Sequence, residues 1–145
     1  MGEGRAITQD QLDRLFTAAL EAAIGRIEKD GHFHPLVFEL RPGGMIQAVA
    51  VLESSPIDPS RGPADRMGQL LRPRAEAGRI EAAAIVRLRR DGDVAEVRLR
   101  APNYSADIDV PFAIETSGLV KRKRQLVLGE FSARPVANDI FGSAR

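Results

Sequence analysis

The chain has no cysteine and no tryptophan, a single tyrosine, and an aromatic content of only 5% over 145 residues. Without cysteine there is no disulfide framework, no thiolate nucleophile and no cysteine-bound metal. A reducing compartment is compatible with that, and a cytoplasmic protein is the expectation. With Tyr104 as the one tyrosine, the exposed aromatic platform on which sheet-type RNA readers stack bases is missing. No apolar run approaches the roughly 18 residues of a membrane span. The opening "MGEGRAITQDQ" has no basic segment followed by an apolar core, so no signal peptide is expected. An excess of one charge is absent too. The 21 basic and 20 acidic residues leave a formal +1, which gives no global attraction to nucleic acid or anionic lipid.

What is present describes a soluble domain. A hydrophobic share of 43% and a charged share of 28% are ordinary for a globular protein, and the length suits one domain over residues 1–145 with a real core. Of the basic residues 18 are Arg and three are Lys. With abundant Ala and Gly, this matches a GC-rich bacterial genome and weakens any argument that a given Arg was selected for phosphate chemistry.

Periodicity places the elements. Thr8 and Gln11 fit a capping box, and Leu12, Leu15, Phe16, Ala19, Leu20, Ala23, Ile24 and Ile27 recur at helical spacing up to a stop at Gly31. The expected helix covers residues 8–29, after a flexible N-terminus over 1–7. "FHPLVFELR" and "MIQAVAVLE" follow as a hairpin. With Gly43-Gly44 as its two-residue loop, Leu40 faces Gln47, Phe38 faces Val49, Leu36 faces Val51 and His34 faces Glu53. A Pro- and Ser-rich loop leads to a second helix over 63–77, which Pro73 is expected to kink or split. A second hairpin turns at Asp91-Gly92 and pairs Leu88 with Ala95, Val86 with Val97, Ala84 with Leu99 and Arg87 with Glu96. "DIDVPFAIE" and "QLVLGEF" are two more strands, and residues 132–145 form a C-terminal tail whose Ile140 and Phe141 are placed to dock.

The order α-β-β-α-β-β-β-β predicts an α+β fold: a mainly antiparallel sheet of about six strands with two helices on one face. Similar orders occur in profilin-like folds, including roadblock and longin domains, although fold does not fix function.

Candidate sites are few. His32 and His34, the only histidines, lie at i and i+2 of an extended segment and point to one side. With Glu53 across the hairpin they form a candidate metal set, His32, His34 and Glu53, suited to zinc and a bound water. The competing and preferred reading is two polar residues at the open end of a strand. Asp107 and Asp109 share a face as a possible carboxylate pair, but plain alternation in a half-wet strand produces the same pattern. "KRKR", Lys121–Arg124, with Arg87, Arg98 and Arg100, is a possible basic patch. The interleaved Glu96, Asp107, Asp109 and Glu115 favour a solvated turn, so nucleic acid is not an expected partner. There is no Walker loop, GxGxxG, GxSxG or deaminase signature, and "RPGGM" is a turn without a following helix. No catalytic residue, cofactor-binding residue or cofactor is assigned.

"FHPLVFEL", "RAEAGRIEAAAIV" and "LGEFSARPVANDIF" together resemble a family of short bacterial α+β proteins of unknown function, over residues 12–141. The resemblance implies a small α+β scaffold, with no activity and no functional residues to carry over. The functional expectation is a non-enzymatic binding or scaffolding domain forming a homodimer through terminal strands at sheet edges. The alternatives are a small metal-dependent hydrolase using His32, His34 and Glu53, and a sensor holding a small molecule between the helices and the sheet.

Overall fold

The computed structural model describes residues 7–49, 63–89, 93–118 and 123–142. Its first helix, α1 (Gln9–Asp30), begins where the capping logic places it. The Gln11 N–H donates to Thr8 Oγ1 at 3.1 Å, and the Thr8 N–H donates to Gln11 Oε1 at 3.1 Å. It ends at Gly31, whose φ of 83° is left-handed and whose N–H reaches the Ile27 carbonyl. Leu12, Leu15, Ala19, Leu20, Ala23 and Ile27 form its buried stripe. Ile7, inside the stretch expected to be flexible, is buried in the same core, and Asn103 Nδ2 donates to its carbonyl at 3.5 Å.

Among the described residues seven strands form one antiparallel sheet: β1 (Leu36–Leu40), β2 (Ile46–Val49), β3 (Ala82–Arg89), β4 (Val94–Ala101), β5 (Tyr104–Ser117), β6 (Lys123–Leu128) and β7 (Ser132–Pro135). The order is β2-β1-β3-β4-β5-β6, with β7 also on β5. The second hairpin adopts the expected register, Leu88 facing Ala95, Val86 facing Val97 and Arg87 facing Glu96. The Asp91-Gly92 turn itself lies outside the described residues.

The first hairpin is off by one residue. Leu40 faces Ile46, Phe38 faces Ala48 and Val37 faces Val49. The Arg41 N–H donates to the Met45 carbonyl at 2.8 Å, so Pro42, Gly43 and Gly44 all belong to the loop. The glycines at φ 96° and 92° supply the left-handed turn this loop needs. The slip reverses the faces of β2, because side chains alternate along a strand.

The tail is also more structured than expected. Ser132–Pro135 pairs with Ala106–Asp109 of β5. β6 and β7 therefore lie end to end along the outer edge of β5, with a one-residue shift in register between them across Gly129–Phe131. Such a shift is a bulge, and it bends the edge. Phe131 seats this break against Phe16 of α1, ring centroids 5.8 Å apart.

The second helix, α2 (Pro63–Glu76), runs through Pro73 rather than splitting there. Pro73 sits in the last turn, and the carbonyls beyond it are satisfied. Gly78 donates to Ala75 and Arg79 to Arg74, the double bond of a left-handed stop, with Gly78 at φ 74°.

The two helices do not share a face. Ala82, Ala84 and Val86 of β3 pack under α1, whereas Ala83 and Ile85 pack with Leu71 of α2, Ile80, Ile140 and Phe141. Because neighbours on a strand point to opposite sides, α1 and α2 cover opposite faces. The space expected between both helices and one concave face is thus divided between two packed layers. The run "AAAIV" is buried throughout, as a strand covered on both sides must be.

Candidate functional site

His32 and His34 lie in the extended segment between α1 and β1, and both are exposed. Phe33 between them turns into the α1 core and fixes the histidines on the outside. Their ring centroids are 6.4 Å apart. They line a recess of about 280 Å³ with Arg26, Asp30, Phe33, Pro35 and Leu36. Among the described residues no group of three or more His, Asp or Glu is placed to hold a metal ion. Glu53 lies outside the described residues.

Asp107 and Asp109 belong to a different arrangement, one that sequence reasoning missed. The α2 side of β3, β4, β5 and β7 is a lattice of arginines and carboxylates. Glu96 is buried and receives Arg87, Arg98 at 3.3 Å and Arg134 at 2.9 Å. Asp109 pairs with Arg89 at 3.0 Å and Arg134 at 2.9 Å. Arg100 is buried against Asp139 at 2.7 Å and donates to the Ala106 carbonyl at 2.9 Å. Its Nη2 also lies 2.9 Å from Asp107 Oδ1, an ion pair that is not aligned as a hydrogen bond.

Two further pairs tie α2 to the sheet. Arg98 reaches Asp65 at 2.6 Å, and Arg74 grips the fully buried Glu39 with two bonds of 2.6 and 2.9 Å. Burial alone raises the Glu96 carboxyl. The hydrogen bond and charge of Arg87, with those of Arg98, outweigh it and hold the group below the usual carboxylate range. The hydrogen bond to Glu39 raises Arg74. Each of these acids faces an arginine, so their geometry is that of a structural layer rather than of a proton-accepting dyad. Charges at alternate positions, Arg87 and Arg89 in β3, Glu96, Arg98 and Arg100 in β4, and Asp107 and Asp109 in β5, were the available signal. It reads equally as a wet face until a covering helix is known.

The last described residues close this layer. Asn138 Oδ1 accepts from the Ile140 and Phe141 N–H groups, and its Nδ2 donates to the Ala101 carbonyl at 2.8 Å. Asp139 presses on Gly68 of α2, where an added Cβ would stand 3.1 Å from Oδ2.

The sheet edges differ. On β6 the outward-facing Leu126 N–H is taken by Glu28 Oε2 of α1 at 3.1 Å, and on β7 one of the two outward positions, Pro135 beside Ala133, has no N–H to offer. Both features blunt an edge against strand addition, although Ile114, Val127, Leu128 and Phe131 leave apolar surface beside it. Arg124 of "KRKR" donates to the Glu28 and Lys29 carbonyls at 3.4 and 3.0 Å, satisfying the C-terminus of α1 with a cation. Lys121 and Arg122 lie outside the described residues.

At the opposite edge, the pairing of Arg41 with Met45 turns the backbone groups of Ile46 and Ala48 away from β1. Met45 there is 61% exposed. Ile46 borders an open recess of about 330 Å³ whose other walls are Asp13, Arg14, Thr17, Ala18 and Glu21 of α1.

No protein-family model, curated protein or solved structure matches the chain. Neither helix is long and apolar enough to cross a membrane, among the described residues.

Proposed function

We propose that this chain is a non-enzymatic, cytoplasmic binding or scaffolding domain that works as a homodimer. The observation that carries the reading is the corner where β2 meets α1. Among the described residues the outward backbone groups of Ile46, the Ala48 N–H, the exposed Met45 and the charged flank of α1 are left unmatched there, the Ala48 carbonyl being taken by Gln47 Nε2 at 3.4 Å, while the far edge is blunted at Leu126 and Pro135. The acids of the sheet support the same reading, because Glu39, Glu96, Asp107 and Asp109 are each engaged by arginine. Sedimentation equilibrium from micromolar to hundreds of micromolar tests it. A dimer is expected, and a lone monomer across that range overturns the reading.

A second reading rests on the shared recess of His32, His34 and Asp30. Two imidazoles on one side of an extended segment are donors for a borderline cation such as zinc, and a metal-dependent hydrolase would use them with Glu53. Calorimetric titration with zinc discriminates. Saturable binding that either His32→Ala or His34→Ala abolishes is expected on this reading, and no saturable heat ends it.

A further inference from the structure

We infer that the flank of α1 centred on Thr17 and Ala18 is a self-complementary surface that docks the same flank of a second copy, the two helices running antiparallel. The inference rests on the homodimer reading and names the surface that makes it.

Arg14, Thr17, Ala18 and Glu21 stand at i, i+3, i+4 and i+7, so they form a stripe along one side of α1. Arg14, Thr17 and Glu21 are exposed and Ala18 is half-buried. The two middle side chains are short, which leaves the recess beside Ile46 and lets a second helix approach at the roughly 8–10 Å between axes that packed helices require.

The charges at the two ends of the stripe are opposite. Arg14 and Glu21 are separated by about 10 Å along the axis, at 1.5 Å per residue, too far to pair with each other. Neither has an ion-pair partner among the described residues, and the neighbouring Asp13 is held by Gln9 Nε2 at 2.8 Å. A two-fold axis passing between Thr17 and Ala18 changes this. It sets Arg14 of each copy against Glu21 of the other and places the short residues together at the centre. One operation thus satisfies four unmatched charges, which is the signature of an isologous contact. A different protein would need its own acid and base at the same separation and in the same order, so a second copy is the occupant these residues fit.

The test is a charge swap read by sedimentation equilibrium, with circular dichroism to verify the fold. All the substitutions lie on the exposed flank. Arg14→Glu alone and Glu21→Arg alone each turn two cross-interface attractions into repulsions and should weaken association by about tenfold or more. The double variant Arg14→Glu/Glu21→Arg restores opposite charges and should return close to the wild-type constant. Wild-type protein that stays monomeric overturns the homodimer and this surface together, leaving the flank to some other protein. A wild-type dimer that either single reversal leaves unchanged overturns the surface alone. Weakening by both singles without rescue in the double overturns the antiparallel register.

Discussion

The two faces of the sheet are built on different physics. Under α1 the contacts are apolar: Leu15, Ala19 and Ala23 pack with Leu40, Ala84, Val86, Val97 and Val110, and each is almost wholly excluded from water. Under α2 the apolar cluster is small, and Arg87, Arg89, Glu96, Arg98, Arg100, Asp107 and Asp109 of β3, β4 and β5 are charges held in pairs. The first face gains stability in proportion to buried area and is indifferent to pH. The second gains little from each ion pair but suffers heavily when one partner is lost, since the other is then buried alone. The difference teaches where this protein is fragile: single changes of charge beneath α2, and single changes of volume beneath α1.

The largest effect expected is on the α2 side. Arg74→Met leaves the fully buried Glu39 with only the partly exposed Arg41 and should cost about 3–5 kcal/mol in urea unfolding, whereas adding Glu39→Leu should recover most of that loss. A single variant that unfolds like wild type would remove the contrast between the faces. Leu15→Ala on the α1 side should cost about 2–5 kcal/mol, with the same loss at pH 5 and pH 8 because no titrating group is involved.

Glu96→Gln probes the lattice through acid. The folded carboxyl titrates below its unfolded value of about 4.3, so its contribution is complete above that value and disappears as pH falls through the folded one. Wild type should therefore lose stability between about pH 5 and pH 3, and the variant should show a shallower slope over that interval. Equal slopes would mean the arginines do not favour the charged form. The smallest effect belongs to neither face. Thr8→Ala removes the capping box of α1 and should lower stability by about 1 kcal/mol in thermal melts, since the Gln11 N–H loses its acceptor.

Legibility followed how local each feature is. The capping box, the Gly31 stop and the second hairpin depend on neighbours a few residues apart, and the structure has them as the pattern implies. The first hairpin does not, because Pro42-Gly43-Gly44 permits either a two- or a three-residue loop and the apolar pattern of β2 tolerates both. Glu39 alternates with the apolar Phe38 and Leu40, and its burial depends on Arg74, 35 positions away. The opposite placement of the helices was half legible, since "AAAIV" lacks the polar alternation of a half-wet strand. For the site, the exposure of the histidines follows from alternation about Phe33. The Arg100–Asp107 pair depends on the pairing of β4 with β5, which no spacing within the sequence specifies.

The plug formed by Asn138, Asp139, Ile140 and Phe141 bears on how the chain is made. Synthesis proceeds from the N-terminus, so α1 and its sheet partners as far as β5 are available before the plug exists. The α1 layer can consolidate while residues beyond it are still being added, but the α2 layer stays unsealed until Phe141 has left the ribosome. In that interval Leu71 and Ile85 face solvent, Arg100 waits for Asp139, and Glu96 and Asp109 wait for Arg134, making it the stage of synthesis at which this protein is most exposed to aggregation and proteolysis.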